Sequence, residues 1–234
     1  MGEYSRTYFH SMHFDILSLF PEAFESYFQT SILKRAQTAG HITLAVHNIR
    51  DFSLDRHHRV DDTPYGGGAG MVMQVEPFDR ALQSIQAQPK TPGTRIILLS
   101  AKGRPFDQAR ARQLAEYDRI VLLAGRYEGV DERVAEYLVD EELSIGPFVL
   151  TGGELPAMLV VDAVSRLIPG VLGNAESSVH ESFSIGTIVE CPQYTKPEVY
   201  RSWPVPAVLL SGHHAEIEQW RRTQSEQQTK KRHD

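Results

Sequence analysis

The sequence has almost no cysteine. Cys191 is the only one in 234 residues, so the chain cannot form an internal disulfide framework or a metal site with several cysteine ligands. It also lacks any apolar run near the roughly 18 residues of a membrane span. Residues 1–12 lack the apolar core of a signal peptide. These absences predict a cytoplasmic protein without a membrane partner.

Positive charge is scarce as well. The chain has 24 Lys/Arg against 30 Asp/Glu, a formal net charge of −6, which argues weakly against nucleic acid because phosphate binding needs a basic face. Residues 196–234 differ, since they hold seven Lys/Arg and five Asp/Glu. This mildly basic tail fits either a nucleic-acid contact or an ordinary solvated helix end.

Apolar strands alternate with helices along most of the chain. Continuous apolar strands between helices indicate an α/β fold with a parallel sheet covered by helices on both faces. Strands are predicted at 14–21 and 41–49, and residues 94–106 are predicted to be a strand that ends in a turn. Segments 119–130 and 143–158 each predict a strand, then a glycine turn, then the start of a helix. Helices are predicted from Pro21 to Gly40 with Phe24, Phe28, Ile32 and Ala36 inside, from Asp107 to Tyr117 and from Glu154 to about Leu167.

A second, smaller unit follows a Gly/Ser-rich stretch at 169–182 that has no periodic pattern. Residues 195–198, "TKPE", form a capping box and predict a helix start. Residues 211–222 predict another helix. The sequence therefore predicts a small, mainly helical C-terminal domain.

Three predicted strands end in glycine turns, "SAKG", "AGRYEG" and "LTGGE". Ligands of open parallel sheets bind beyond the carboxyl ends of the strands, and glycine lets backbone approach a ligand closely. Three converging turns could grip the edge of an adenine, although ordinary strand-to-helix turns explain the glycines equally well. No G-x-G-x-x-G or P-loop motif occurs, and "GGGAG" at 66–70 has no strand before it, which excludes Rossmann and P-loop sites.

Seven segments in order resemble the bacterial tRNA (guanine-N1)-methyltransferases of the TrmD family. They are "SLFPEAF", "DDTPYGGGAGM", "AGRYEGVDER", "SIGPFVLTGGELPAM", "IPGVLG", "CPQYTKPEV" and "SGHHAEI". The resemblance implies a SPOUT-type fold with a deep trefoil knot on the C-terminal side of the domain, which general topology rules would not predict. It also implies a homodimer with the active site at the subunit interface, S-adenosylmethionine as methyl donor and tRNA as substrate. The methyl acceptor would be N1 of the guanosine immediately 3′ of the anticodon, tRNA position thirty-seven.

The resemblance divides the chain as well. Residues 1–11 are expected to be an N-terminal extension, and residues 12–170 the SPOUT domain with the knotted cofactor site. Residues 171–182 would be a flexible linker and residues 183–234 a small tRNA-binding domain.

Two residues take catalytic roles by resemblance. Glu181 stands where the family has an aspartate that acts as general base, and His180 beside it is an alternative base. Arg166 corresponds to the family's catalytic arginine. From the sequence alone, Glu181 is an exposed linker carboxylate and Arg166 a solvated residue paired with Asp162 one helical turn earlier.

The remaining site residues also come from the resemblance. Predicted cofactor-binding residues are Leu98, Leu99, Ser100, Gly103, Gly125, Tyr127, Glu128, Gly129, Ile145, Gly146, Phe148, Leu150, Gly152, Gly153 and Pro156. Predicted tRNA-binding residues are Asp51, His57, Tyr65 and Gly67 in the long loop 50–73, and Lys196, Arg201, His213 and Arg221 in the C-terminal part. Mg²⁺ is expected to assist the reaction, but no motif names its ligands and no metal site is predicted.

Two rival functions are compatible with the sequence. The aspartate-to-glutamate change at Glu181 motivates a non-catalytic RNA-binding protein on the same knotted fold. The glycine turns also suit a nucleotide-binding α/β enzyme that uses another purine cofactor.

Overall fold

The computed structural model describes residues 11–173, 181–184 and 186–233. The chain divides into two compact units, of which the first ends at residue 173. The N-terminal extension predicted for residues 1–11 lies almost wholly outside the described residues, and so do positions 174–180 of the predicted linker. None of the described helices is long and apolar enough to cross a membrane.

A five-stranded parallel sheet forms the centre of the first unit. The strands of this unit are β1 (Met12–Ser18), β2 (Ile42–Asn48), β3 (Asp61–Asp62), β4 (Val72–Met73), β5 (Thr94–Pro105), β6 (Arg119–Ala124) and β7 (Glu141–Ser144). The sheet order is β2-β1-β6-β5-β7, with every neighbouring pair parallel, while β3 and β4 form a separate antiparallel pair. The predicted parallel sheet is confirmed.

Helices cover both faces of the sheet, as the sequence predicts. They are α1 (Glu22–Phe28), α2 (Ser31–Thr38), α3 (Val75–Ser84), α4 (Gln108–Leu114) and α5 (Glu154–Ser165), with a 3₁₀ turn at Ile49–Phe52 and a π turn at Val134–Leu138. One buried cluster joins α1, α2, α4 and α5 to the first face, and a second joins α3 and the π turn to the other.

Strand β6 is apolar at every position after Arg119, and its place in the sheet explains why. Ile120 and Leu122 belong to the first buried cluster, while Val121 and Leu123 belong to the second. Successive side chains of a strand point to opposite faces, so a strand covered on both sides must be apolar throughout. Each fully buried side chain of this size contributes about 1.5–3 kcal/mol of hydrophobic stabilisation.

The single helix predicted between Pro21 and Gly40 is two helices. Thr30 has extended backbone, its hydroxyl bonds back to the carbonyl of Ser26, and Ser31 has a φ of 48°. Such side chain-to-backbone bonds compete with helix propagation. In the second helix Leu33 is buried where Ile32 was predicted, Ile32 is 37% exposed, and Ala36 is buried as predicted.

The helix predicted from Asp107 to Tyr117 is shorter and ends at Leu114. Its predicted N-cap is present, because the Asp107 carboxylate accepts the amide of Arg110 at 2.7 Å. Helix α5 begins at Glu154 as predicted.

A buried carboxylate lies in the first half of β1. Asp15 is 2% exposed, and its oxygens accept hydrogen bonds from His47 Nε2 at 2.6 Å and Arg119 Nε at 2.7 Å. His13 Nε2 lies 2.9 Å from the same group. Burial alone would raise the pKa of Asp15, but these three partners together hold it well below its usual range.

The second unit contains a short antiparallel hairpin and a long helix. Its elements are β8 (Val199–Tyr200), β9 (Trp203–Pro204), α6 (Ala207–Leu210) and α7 (His214–His233). The helix predicted from the capping box at 195–198 is wrong, because the chain enters β8 there. The aromatic and β-branched residues that follow the capping box favour a strand. The helix predicted from residues 211–222 is confirmed as the first part of α7.

Candidate active site

One cavity of about 490 Å³ lies at the carboxyl ends of β5, β6 and β7. Three segments enclose it: the irregular part of β5 at 100–102, called the first turn here, the second turn (125–129) and the third turn (145–153). Fourteen of the fifteen predicted cofactor-binding residues line this cavity, on all three turns. Converging strand ends therefore bring together residues that are more than fifty positions apart in the sequence.

Gly103 is the exception among the predicted residues. It does not line the cavity, because β5 continues past it to Pro105 and pairs again with β7. A Cβ at Gly103 would lie 2.6 Å from the backbone of both Glu142 and Leu143. This glycine therefore permits two strands to approach closely and contributes no cavity surface.

The second turn is joined to the end of the long loop by backbone hydrogen bonds. The amide of Glu128 donates to the carbonyl of Met71 at 3.0 Å, and the amide of Met73 donates to the carbonyl of Gly129 at 2.9 Å. Tyr127 has a φ of 60° and Gly129 one of 135°, so the turn folds sharply. The loop end thereby sets the position of the second turn.

The third turn packs directly on the second. The amide of Gly153 donates to the carbonyl of Gly125 at 2.8 Å. A Cβ at Gly153 would lie 2.6 Å from the Cα of Ala124 and 2.8 Å from the Gly125 amide nitrogen. Only glycine allows this approach, so Gly153 fixes the spacing between two walls of the cavity.

Several cavity residues were missed by the sequence predictions. Lys102 and Glu132 form an ion pair between the first turn and the segment after the second, and this hydrogen bond raises the pKa of Lys102. Glu142 contributes a side-chain oxygen, Oε2, that is buried and has no hydrogen-bond partner among the described residues. Among these three residues only Lys102 had a signal in the sequence, which is its position inside "SAKG".

A second cavity of about 660 Å³ adjoins the first, since Ile145, Phe148 and Leu150 line both. Arg166, at the C-terminal end of α5, lines this second cavity together with Asp162. The sequence also allowed an ion pair of these two residues. The structure shows the Asp162 carboxylate accepting a hydrogen bond from the phenol of Tyr27, which raises the pKa of that phenol.

Comparison with known proteins places the chain in a family. Residues 12–234 match the family model described as tRNA (Guanine-1)-methyltransferase TrmD. A protein of Dehalococcoides mccartyi named tRNA (guanine-N(1)-)-methyltransferase is 55% identical over 221 residues, 94% of this chain and 88% of that protein. Proteins with the same name from Chloroflexus aggregans and Geobacter sulfurreducens are 55% and 51% identical, over 91% and 94% of this chain and 82% and 89% of their own lengths.

The chain belongs to the TrmD family. The family predicted from seven short segments is thus confirmed, and with it the enzyme class, a tRNA (guanine-N1)-methyltransferase.

The tRNA residues predicted in the long loop lie at its surface. Asp51 is exposed in the 3₁₀ turn, His57 is exposed, and Tyr65 and Gly67 lie in the exposed glycine-rich tip. Tyr65 is fully solvent-exposed. These four residues remain predicted tRNA contacts along one loop.

The tRNA residues predicted in the C-terminal part lie within the second unit, and all four are exposed. Arg201 lies at the tip of the β8–β9 hairpin, its guanidinium carbon 5.4 Å from the ring centre of Tyr200 and 5.6 Å from that of Trp203. His213 Nδ1 lies 3.4 Å from Glu216, and Arg221 lies 3.8 Å from Glu218. Lys196 precedes the hairpin.

The structure describes one of the two predicted general bases. Glu181 belongs to the second unit and is partly buried, and its carbonyl accepts the amide of Ser184. The alternative base, His180, lies outside the described residues. Among the described residues, no group of three or more His, Cys, Asp or Glu is arranged to hold a metal ion.

Proposed function

We propose that the cavity at the three glycine turns binds S-adenosylmethionine. The methyl acceptor in this proposal is N1 of the guanosine immediately 3′ of the anticodon, tRNA position thirty-seven. The observation that carries the proposal is the convergence of turns from three strands on one cavity at the carboxyl edge of a parallel sheet. Family membership supports the same reaction.

The cavity walls fit the chemistry of this methyl donor. Glycines on two of the turns expose backbone N–H and C=O groups that can recognise an adenine edge, and Leu98, Leu99 and Pro156 add apolar surface. Glu142 lines the cavity, and its carboxylate would attract a cationic ligand group. S-adenosylmethionine carries two such groups, a sulfonium and an ammonium, and it supplies an activated methyl for in-line displacement.

The chain supplies the proton transfer and the charge stabilisation. Guanine N1 carries a proton at neutral pH, so transfer needs a general base, which typically contributes about 10²–10⁴-fold. Glu181 takes this role in the proposal. Arg166 stabilises the negative charge that develops on the purine oxygen. Its place in the second cavity, beside Phe148 and Leu150 of the first, supports that role.

An exposed apolar surface supports a homodimer with the active site at the subunit interface. Phe148, Leu155 and Leu159 are 52%, 63% and 43% exposed, and they line the cavity that Arg166 also lines. Val149, beside Phe148, is 87% exposed and lines the first cavity. Contiguous apolar surfaces of this kind usually mark interaction sites. In the proposal a second copy covers this surface and brings its own linker carboxylate to the guanosine.

The deep knot, the flexible linker and the tRNA grip of the second unit also belong to the proposal. Arg201 between two exposed aromatic rings supports an RNA contact, because such rings can stack on bases and the guanidinium can pair with phosphate. In the proposal Mg²⁺ assists the methyl transfer, and no residues are assigned as its ligands. A tRNA substrate supports a cytoplasmic location.

The deciding experiment is transfer of a labelled methyl group from S-adenosylmethionine to a tRNA transcript. The target transcript has guanosine 3′ of the anticodon, and the control transcript has adenosine there. We expect label on the first only. Label on neither would refute the proposed reaction and favour the non-catalytic RNA-binding alternative, if tRNA still binds.

Two variants then test the base. E181Q should lower turnover by about 10²-fold or more while the Kd for S-adenosylmethionine stays within about two-fold, because the general base acts only in the transition state. E181D, which restores the family's aspartate, serves as the matched control and should retain most turnover. Unchanged turnover in E181Q would reject Glu181 as the base.

A further inference from the structure

Arg126 follows Gly125 in the second turn, yet its side chain runs back into the protein. Its Nε lies 2.9 Å from Glu154 Oε2, and its Nη1 donates to the carbonyl of Thr151 at 3.2 Å. The guanidinium carbon lies 4.6 Å from the ring centre of Phe20. One side chain of the second turn thus contacts the third turn, the start of α5 and the chain after β1.

Glu154 is the buried partner in this arrangement. It is 4% exposed and begins α5 directly after the third turn. Its Oε1 accepts a hydrogen bond from the hydroxyl of Ser18, the fully buried last residue of β1, at 2.8 Å. The N–H of Arg126 is not aligned with Oε2, so their contact is an ion pair and not a well-formed hydrogen bond. A buried carboxylate needs such a cation, because removing one partner of a buried pair leaves an uncompensated charge.

Gly152 shows that this pair lies directly against the backbone of the third turn. A Cβ there would lie 2.3 Å from Arg126 Nε and 2.6 Å from Glu154 Oε2. The ion pair therefore fills the space that any other residue at this position would occupy. The pair therefore supports the backbone of the third turn on this side.

We propose that Arg126 and Glu154 are positioning residues, which hold the second and third turns at the separation that the methyl donor requires. The inference rests on the proposed binding of S-adenosylmethionine in this cavity. Both turns carry predicted cofactor-binding residues, and a binding site must hold its contacts within about 0.5 Å of the productive geometry. The role differs from general stabilisation, because it acts on cofactor affinity through geometry.

The first test measures the Kd for S-adenosylmethionine by calorimetry, the KM and kcat for methyl transfer, and the Kd for tRNA. E154Q keeps the side-chain size and can still accept from Ser18, but it removes the charge that faces Arg126. We expect its Kd and KM for S-adenosylmethionine to rise about ten-fold or more. We expect its kcat to stay within about three-fold and its tRNA Kd within about two-fold.

D15N is the matched control. Asp15 is a comparably buried carboxylate in β1, the strand that also holds Ser18, and it pairs with Arg119 of β6. It does not line the cavity. D15N should lose stability and keep its Kd for S-adenosylmethionine within about two-fold of wild type, measured where both proteins are folded. If D15N weakens cofactor binding as much as E154Q does, the effect follows stability and the inference is wrong.

Substitutions of Arg126 provide a second route should E154Q fail to fold. The Arg126 side chain is 27% exposed, so it can be shortened more readily than a buried residue. R126M should raise the Kd for S-adenosylmethionine about ten-fold or more, and R126K, which keeps the charge, should restore part of the affinity. Equal affinity in wild type, R126M and E154Q would overturn the inference alone. A wild-type protein that does not bind S-adenosylmethionine would overturn the proposed function as well.

Discussion

Substituting Gly153 by alanine tests the packing of the third turn on the second. The added Cβ would lie 2.6 Å from the Cα of Ala124 and 2.8 Å from the amide nitrogen of Gly125, and ordinary contact begins near 3.4 Å. Both neighbours are backbone atoms, which cannot rotate away, so the two turns must separate by about 0.8 Å. That displacement also lengthens the hydrogen bond from the Gly153 amide to the Gly125 carbonyl.

The expected cost has two parts. Overpacking typically destabilises a protein by about 1–3 kcal/mol, which in a unit of this size lowers the Tm by about 2–4 °C per kcal/mol. The shift also moves two walls of the cavity apart, so the Kd for S-adenosylmethionine should rise by about 10- to 100-fold. The first part is measured by thermal unfolding and the second by calorimetry with S-adenosylmethionine.

Gly173 supplies the control, because a Cβ there would meet nothing within 4 Å. G173A should match the wild type in both Tm and cofactor affinity. If G153A binds S-adenosylmethionine as tightly as G173A does, the second and third turns do not set the shape of the binding site and the reasoning fails.

Two further predictions concern pH and assembly. The pKa of Asp15 in the folded protein lies below its unfolded value of about 3.9, so its stabilising effect is present above that pH and is lost as the pH falls below about 4. The urea midpoint of the wild type should therefore drop more steeply in this range than that of D15N. Parallel curves for the two proteins would exclude this role. L155D should convert a dimer to monomers in sedimentation velocity, whereas the same change at Leu54, which is 67% exposed in the long loop, should not; a dimer that survives L155D does not use this apolar surface.

The architecture could be predicted from the sequence where one pattern dominates. Strand β6 is apolar at every position after Arg119 and lies between two strands of the sheet, so periodicity and flanking helices suffice. The break at Thr30 could not be predicted, because the spacing of apolar residues continues across it and only local hydrogen bonds end the helix. The capping box at 195–198 predicted a helix wrongly for the opposite reason. There the strand-forming residues that follow outweighed a local helix signal.

The cavity shows a similar division. Its glycines indicate the turns, and the family resemblance assigns fourteen of its twenty-five lining residues. Gly103 and Glu142 could not be assigned correctly, because both depend on how β5 and β7 pair after an irregularity in their register. That pairing decides which residues face the cavity and which face the neighbouring strand, and it is a long-range property that no short segment encodes.

The hydrogen bonds between the loop end and the second turn have a mechanical consequence. Backbone hydrogen bonds join Glu128 and Gly129 to Met71 and Met73, so the loop that displays Tyr65 is anchored at its end on the cavity wall. If the proposed methyl donor binds in this cavity, a contact at the loop and the donor can affect each other through this anchor. By thermodynamic reciprocity, a loop contact that strengthens binding of the donor is itself strengthened by the donor by the same free energy.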